Sequence, residues 1–286
     1  MRRVRKTEIY LSLLVFGYVN LKNNNQYCNE LFAFGINYND PQYGGAPLYN
    51  GNIAETDWKT ANDNELRRYR YEYDALNRLE LAAFNIGNNS QPHRYSTSNI
   101  SYDKNGNILG LTRNGHTNSG ATSFGTMDNL VYTYDSGNKL TKVLDNGKDN
   151  YGFEDGANTA TEYTYDQNGN LTKDDNKGIT NIDYNHLNLP ELITLGGGTI
   201  SYIYDATGTK LRKTVGSSVT EYAGNYIYQN GQLQFFSHPE GYVTADGQGG
   251  YDYVYNYTDH LGNVRLSYMD NNGTTEIVEE NNYYPF

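Results

Sequence analysis

The amino-acid sequence predicts an all-β protein in which sequential antiparallel β-hairpins form one curled, spiralling sheet. The first observation is a recurring segment, in which a tyrosine is closely followed by Asp or Asn and then by a Gly/Asn-rich turn. The second is that β-branched and aromatic residues precede these turns, where they favour a pleated strand. The third is the composition, with 30 tyrosines and 30 glycines in 286 residues. Together these features favour a scaffold over an enzyme.

The recurring segment occurs seven times, with two weaker copies and a shifted last one. The copies begin at Tyr73, Tyr102, Tyr134, Tyr165, Tyr184, Tyr204 and Tyr257. The signature residues, for which a structural role is predicted, are Tyr73, Asp74, Tyr102, Asp103, Gly106, Asn107, Tyr134, Asp135, Tyr165, Asp166, Gly169, Asn170, Tyr204, Asp205, Gly208, Asp259, His260, Gly262 and Asn263. Spacings of 19 and 20 residues after Tyr165 predict bare hairpin units, and the earlier spacings of 29 to 32 residues predict a unit with an inserted loop.

Within one copy the predicted structure is strand, tight turn, strand. In the segment 102–108, the pair Asn105-Gly106 is predicted to supply the two positive-φ positions of a type I′ turn. The Asp103 side chain is predicted to accept hydrogen bonds from backbone N–H groups just ahead of it, as in an Asx turn.

These copies make the chain resemble the YD-repeat, or Rhs-repeat, family of large bacterial surface and toxin-associated proteins, over roughly residues 31–286. The resemblance also depends on the unit 204–211 and on the segment 259–265, which with Tyr283-Tyr284-Pro285-Phe286 is similar to the start of the Rhs repeat-associated core. It implies a partial Rhs-type β shell, which in full-length relatives encloses a C-terminal toxin. We expect the chain to be truncated before the toxin region, because the family's autoproteolytic segment has no counterpart to which its residues could be assigned.

Four segments are predicted along the chain. Residues 1–30 form an N-terminal lead segment, and residues 31–66 an irregular approach that carries Trp58. The YD-repeat hairpins occupy residues 67–215, and the start of the repeat-associated core follows at 216–286.

The lead segment resembles a secretory signal, because the basic residues Arg2, Arg3, Arg5 and Lys6 precede the apolar run 9–19. That run is too short to span a membrane, and no Ala-x-Ala cleavage site follows it. The alternative interpretations are a buried strand or a chance start codon within a longer reading frame. We therefore expect a secreted or cell-surface location without a membrane span. The single cysteine, Cys28, excludes an internal disulfide.

The charge distribution argues against a nucleic-acid partner. The net charge is −11, and residues 214–286 contain nine acids but only one base, Arg265. Such a segment repels phosphate backbones. The simple explanation for these acids is solubility, and the alternative is an acidic lining that receives a basic toxin.

No catalytic, cofactor-binding or metal site is predicted. The segments 103–107 and 166–170 place oxygen-bearing side chains at alternate positions, as calcium loops do, but their glycine comes at position four instead of six. The five histidines lack the i, i+4 spacing of a zinc helix. For His260, packing or hydrogen bonding beside its turn is a better interpretation than catalysis.

Three functional hypotheses remain, of different classes. The first is a non-enzymatic scaffold, a fragment of an Rhs-type shell that encapsulates or presents a polymorphic toxin in competition between bacteria. Its partners would be the toxin domain or the remainder of the shell. The second is a cell-surface carbohydrate-binding module, in which exposed tyrosines stack on glycans. The third is an enzyme, which no specific feature favours. Buried repeat tyrosines would support the first hypothesis, and a solvent-exposed row of them the second.

Overall fold

The computed structural model describes residues 31–87, 93–147 and 151–285. The predicted lead segment 1–30, with its signal-like run and Cys28, lies outside these residues, as does Phe286. The described residues form strands and turns, and the prediction of an all-β fold of sequential antiparallel hairpins is confirmed. Nowhere in these ranges is there a helix with the length and apolar character needed to cross a membrane.

The chain divides into two compact units, residues 1–96 and residues 97–286. In the first unit four strands follow one another in space as they do in sequence, each antiparallel to the next. They are β1 (Phe32–Asn37), β2 (Glu55–Thr60), β3 (Arg67–Tyr73) and β4 (Leu79–Ile86).

The expectation of an irregular segment at 31–66 is wrong, since it contains two paired strands. Strand β2 has the sequence Glu-Thr-Asp-Trp-Lys-Thr. Because most of these residues are polar, the segment lacks the hydropathy pattern that usually predicts a buried strand. One face of β2 carries Trp58, which packs with Tyr69 and Phe84 in the core of the first unit at ring-centroid distances of 5.7 and 6.2 Å. The other face carries Glu55 and Asp57, both buried.

The second unit begins with four strands, again paired in sequence order. They are β5 (Thr97–Tyr102), β6 (Ile108–His116), β7 (Phe124–Tyr134) and β8 (Leu140–Asp145).

A separate thirteen-stranded antiparallel sheet follows, with its strands in sequence order from β9 to β21, so the expectation of one continuous sheet is wrong. The strands are β9 (Tyr163–Tyr165), β10 (Leu171–Asp174), β11 (Ile179–Tyr184), β12 (Pro190–Leu195), β13 (Gly198–Tyr204), β14 (Lys210–Val215), β15 (Ser218–Ala223), β16 (Tyr226–Gln229), β17 (Gln232–His238), β18 (Gly241–Ala245), β19 (Tyr251–Thr258), β20 (Val264–Asn271) and β21 (Thr274–Glu280). Its best buried apolar side chains are Val243, Val254 and Leu266, at 2%, 2% and 0% exposure.

Successive hairpin turns alternate between the two sides of such a sheet at which the strands end, because each strand reverses the chain direction. We use the word edge for such a side. Every copy of the tyrosine-led segment joins an odd-numbered strand to the following even-numbered one. Within each sheet, therefore, all the copies lie along the same edge. We call this the turn edge: in the first unit it comprises residues 74–78, and in the second unit, taken by itself, residues 103–107, 135–139, 166–170, 185–189, 205–209 and 259–263.

Candidate functional site: the turn edge

The repeat turn is closed by two backbone hydrogen bonds. In the copy at 103–107, Asp103 N donates to Asn107 O at 2.9 Å, and Gly106 N donates to Asp103 O at 3.3 Å. Gly106 has a φ of +92°, whereas Asn105 does not have a positive φ. The predicted type I′ turn, which needs two positive-φ residues, is therefore wrong. The turn is a three-residue hairpin loop with one left-handed residue at its end.

The turn aspartate explains why this loop forms instead. Oδ1 of Asp103 accepts the backbone N–H groups of Asn105 and Asn107, both at 2.8 Å, and Oδ2 accepts Nδ2 of Asn107 at 2.7 Å. These bonds favour a type I turn at Lys104 and Asn105, so that only the fourth residue of the turn, Gly106, adopts the left-handed conformation. The predicted Asx-type bonding of Asp103 is confirmed.

The left-handed position is occupied by Gly or by Asn in different copies. The residues with positive φ there are Asn77, Gly106, Asn138, Gly169, Asn188, Gly208 and Gly262. Asn tolerates this conformation better than other residues with a Cβ. This explains the copy at Tyr134, where the order of glycine and asparagine is reversed: the left-handed residue there is Asn138.

Hydrogen bonding in the turn also shifts the titration of its acid. Bonds from the Thr207 hydroxyl and the Thr209 backbone N–H lower the pKa of the Asp205 carboxyl. A lowered pKa in the folded state means that this turn stabilises the fold above the ordinary pKa of Asp. The contribution is lost as the pH falls through the lowered folded-state value.

The repeat tyrosine connects its turn to the preceding one. Four hydroxyls donate to a backbone carbonyl on the neighbouring strand: Tyr134 to Ile108 at 2.9 Å, Tyr165 to Leu140 at 2.9 Å, Tyr184 to Leu171 at 2.7 Å and Tyr204 to Pro190 at 3.1 Å. In each case the acceptor is the fifth residue after the Asp or Asn that begins the preceding turn. Burial raises the pKa of these hydroxyls, so they remain protonated donors at any physiological pH.

A second connection runs through asparagine side chains on the solvent side of the turns. Oδ1 of Asn138 accepts Nδ2 of Asn105 and of Asn107, at 2.7 and 2.8 Å. Oδ1 of Asn188 accepts the corresponding amides of Asn168 and Asn170, each at 3.0 Å. Successive turns are thus held in register by side chains from within the repeat itself.

Removing one tyrosine hydroxyl tests this connection. We expect Tyr165→Phe to lower the free energy of unfolding by about 1 kcal/mol, because the Leu140 carbonyl loses its donor. The matched control is Tyr253→Phe, since the Tyr253 side chain is 57% exposed and should tolerate the change. Urea denaturation followed by circular dichroism measures both. Equal stability of the two variants would contradict the proposed role of the hydroxyl.

The last copy, at Asp259, extends the same pattern to the end of the chain. Asp259 Oδ1 accepts the N–H groups of Leu261 and Asn263, both at 3.0 Å, and His260 is exposed in the turn. The Tyr283 hydroxyl donates to Val264 O at 2.8 Å, and Val264 is again the fifth residue after the turn aspartate. Tyr283 therefore takes the place of a repeat tyrosine.

The adjacent Tyr284 contacts a different sheet of the same unit. Its hydroxyl donates to the Asn114 carbonyl on β6 at 2.5 Å, and its ring lies 5.4 Å from the guanidinium carbon of Arg113. The Tyr283-Tyr284 pair thus connects the strands β5–β8 to the end of the thirteen-stranded sheet.

One further turn of this kind was not predicted, because no tyrosine precedes it. Oδ1 of Asp246 accepts the N–H groups of Gln248 and Gly250, at 2.7 and 2.8 Å, and Gly249 has a φ of +93°. This turn joins β18 to β19 and so lies on the opposite edge. The Asp-x-x-Gly spacing alone is the signal that identifies it.

Several buried acids were also not predicted, and they hold loops against the sheets. Glu55 accepts the N–H groups of Gln42, Tyr43 and Gly45 at 2.7 to 3.1 Å. Asp128 is fully buried, accepts Phe153 N at 2.5 Å and pairs with Arg113 Nε at 2.7 Å.

Asp57 is the exception among these acids. Its side chain is fully buried, and neither carboxylate oxygen has a hydrogen-bond partner among the described residues. Its position is so close to β1 that a Cβ at Gly35 would lie 2.3 Å from Oδ1. Burial, with the nearby Glu55 carboxylate, raises the pKa of Asp57 to about 7, and Arg68 only partly offsets this.

Metal ligands are not grouped in the ranges that the structure describes, where no three His, Cys, Asp or Glu side chains are arranged to hold an ion. The oxygens of the turn aspartates instead accept hydrogen bonds from backbone and side-chain N–H groups.

The repeat tyrosines at 73, 102, 134, 165, 184 and 204 are all half-buried.

Comparison with known proteins gives a likeness at the level of the fold. No protein-family model matches the chain, and no curated protein matches it. The crystal structure of TcdB2-TccC3-Cdc42 is similar with a TM-score of 0.51 and 15% identity, over 89% of this chain and 15% of that chain. The crystal structure of TcdB2-TccC3 without hypervariable C-terminal region has a TM-score of 0.30 and 14% identity, over 89% and 19% of the two chains. The chain thus spans under a fifth of the length of either protein.

Proposed function

We propose that this chain is a non-enzymatic scaffold, part of an Rhs-type β-hairpin shell that encapsulates or presents a separate toxin polypeptide in competition between bacteria. The observation that carries the proposal is the tyrosine and asparagine bonding along the turn edge. There, the side chains of the signature residues join one hairpin to the next. A repeat used in this way joins successive hairpins into an extended array. The polar groups of its turns are then hydrogen-bonded within the protein.

The fold likeness to TcdB2-TccC3 supports the same proposal, as do the sequence features shared with YD-repeat proteins. Partners would be the toxin or the remainder of the shell, and the location would be secreted or at the cell surface. Glycan binding by the repeat tyrosines is not favoured, because these rings are half-buried and their hydroxyls donate to backbone carbonyls.

The proposal is tested in the native host by deleting the reading frame and growing the mutant with a susceptible sibling strain. We expect the competitive advantage to fall, and to return with a complementing copy that carries His260→Ala. Unchanged competition after the deletion would overturn the scaffold role. Failure of the His260→Ala copy to complement, despite wild-type abundance and an unchanged circular dichroism spectrum of the purified variant, would favour an enzyme. Protease treatment of intact cells should digest an epitope-tagged chain if it is at the surface.

A further inference from the structure

We propose that an exposed group of aromatic rings on strands β16–β19 binds a cationic polypeptide segment, rich in Lys or Arg. We call this group the ring patch; it consists of Tyr226, Phe236, Tyr251 and Tyr253. The proposal deepens the scaffold function, on which it rests, by giving the chemistry of the polypeptide that the scaffold contacts.

The strand register places the ring patch on one face of the sheet. Tyr226 is paired with Phe236, Phe236 with Val243, and Val243 with Tyr253, so these residues form a row across four strands. Tyr251 lies two residues before Tyr253 and hence on the same face. The Phe236 ring is 5.1 Å from that of Tyr226 and 6.5 Å from that of Tyr251.

The three tyrosines of the ring patch are exposed to solvent, whereas Phe236 is half-buried. Tyr226, Tyr251 and Tyr253 are 41%, 57% and 57% exposed, whereas Val243, in the middle of the row, is 2% exposed. The buried valine supports a stable strand, and about half of each tyrosine side chain is accessible to a ligand. Aromatic residues in such a setting provide contact area at a small cost in conformational entropy.

The charge of residues 214–286 indicates that the ligand is cationic. Residues 214–286 carry nine acids and a single base, Arg265. Arg265 is 5% exposed, and its Nε donates to Asn281 O at 3.0 Å, so it is not available at the surface. The stretch of chain that contains the ring patch therefore has a net charge of 1 − 9 = −8, and aromatic rings on a segment of this charge favour cations over anions.

The chain itself shows the geometry of the proposed contact at other tyrosines. The guanidinium carbon of Arg68 lies 3.9 Å from the centre of the Tyr43 ring, and Nζ of Lys210 lies 4.7 Å from that of Tyr202. The three exposed tyrosines of the ring patch have no such cation from within the described residues. A Lys or Arg side chain from a partner would complete the arrangement found at Tyr43 and Tyr202.

The test measures binding of a fluorescent peptide of alternating Arg and Gly to the full chain by anisotropy. We expect the peptide to bind, and Tyr251→Ala combined with Tyr253→Ala to weaken it about tenfold. Tyr251→Phe combined with Tyr253→Phe retains both rings and should retain binding. Tyr49→Ala, which removes an 83% exposed tyrosine of the first unit, should have no effect. A peptide with Glu in place of Arg should not bind.

Two results would overturn the proposal that the ring patch binds a cationic polypeptide segment. If the Arg peptide binds the double alanine variant as tightly as the wild type, charge alone attracts it. If a neutral oligosaccharide binds and the Arg peptide does not, the rings stack on sugars. Circular dichroism confirms that each variant is folded. Either result leaves the competition test of the scaffold function unaffected, so failure of the ring patch is distinguishable from failure of the scaffold.

Discussion

Replacing Asp57 by Asn is expected to stabilise the first unit by about 4 kcal/mol at pH 8 and by only about 1 kcal/mol at pH 4.5. The buried carboxylate has a folded-state pKa of about 7 against an ordinary value of 3.8. A raised pKa means that the folded state holds the proton more tightly than the unfolded state does. The stability is therefore greatest in acid, declines as the pH rises from about 4 to 7, and is constant above that range.

The groups that face Asp57 decide this behaviour. Burial and the Glu55 carboxylate on the same strand disfavour the charged form, whereas Arg68 on β3 favours it. The Arg68 guanidinium stacks on the Tyr43 ring and donates to the Gly87 carbonyl, so its charge is shared with other partners.

Urea denaturation at several pH values measures the effect, with the fluorescence of Trp58 as the signal. Trp58 is the single tryptophan of the chain and lies in the core of the first unit. The matched control is Glu80→Gln on β4, an exposed acid whose replacement should give a small difference at every pH. A gain from Asp57→Asn that does not change between pH 4.5 and pH 8 would show that Asp57 is not the titrating group.

Asp128→Ala is expected to destabilise the second unit by about 3–5 kcal/mol, because it leaves Arg113 without its buried partner. The Asp128 carboxylate is fully buried and also holds Phe153 N, and a Cβ at Gly152 would lie 2.1 Å from its Oδ1. Combining Asp128→Leu with Arg113→Met removes both charges and should recover much of the loss.

An exposed ion pair of the same length provides the control for this prediction. Arg212 and Glu221 are also 2.7 Å apart, but their side chains are 46% and 39% exposed. Glu221→Ala should therefore cost less than about 1 kcal/mol. Differential scanning calorimetry measures each variant. Equal losses at the two pairs would mean that burial does not determine the cost.

The repeat turns could be predicted because their cause is local. The bonds of Asp103 join residues no more than four positions apart, so a short stretch of sequence contains the whole interaction. The turn type was nevertheless wrong. The Asn105-Gly106 pair is the usual signal for a two-residue loop with two positive-φ residues. The bonds from Asp103 instead favour a three-residue loop in which only Gly106 has a positive φ.

The role of the repeat tyrosine could not be read from its own segment. Its acceptor, such as Leu140 for Tyr165, is 25 residues away and depends on which strands become neighbours. The strands β1 and β2 were missed for a related reason. In β2 the buried Glu55 is covered by the loop at 42–45, which is ten or more positions away in the chain, and no pattern within the strand reveals this.

The all-β class, the sequential order of the hairpins and the tyrosine-led repeat turns could be inferred from the amino-acid sequence alone. These follow from the conformational preferences of Asp, Asn, Gly and Tyr over a few residues. Which acids are buried, which tyrosine hydroxyls are hydrogen-bonded and which rings are exposed could be known only from the three-dimensional packing. Burial and long-range hydrogen bonds depend on residues that are distant in the chain, and short-range preferences do not specify them.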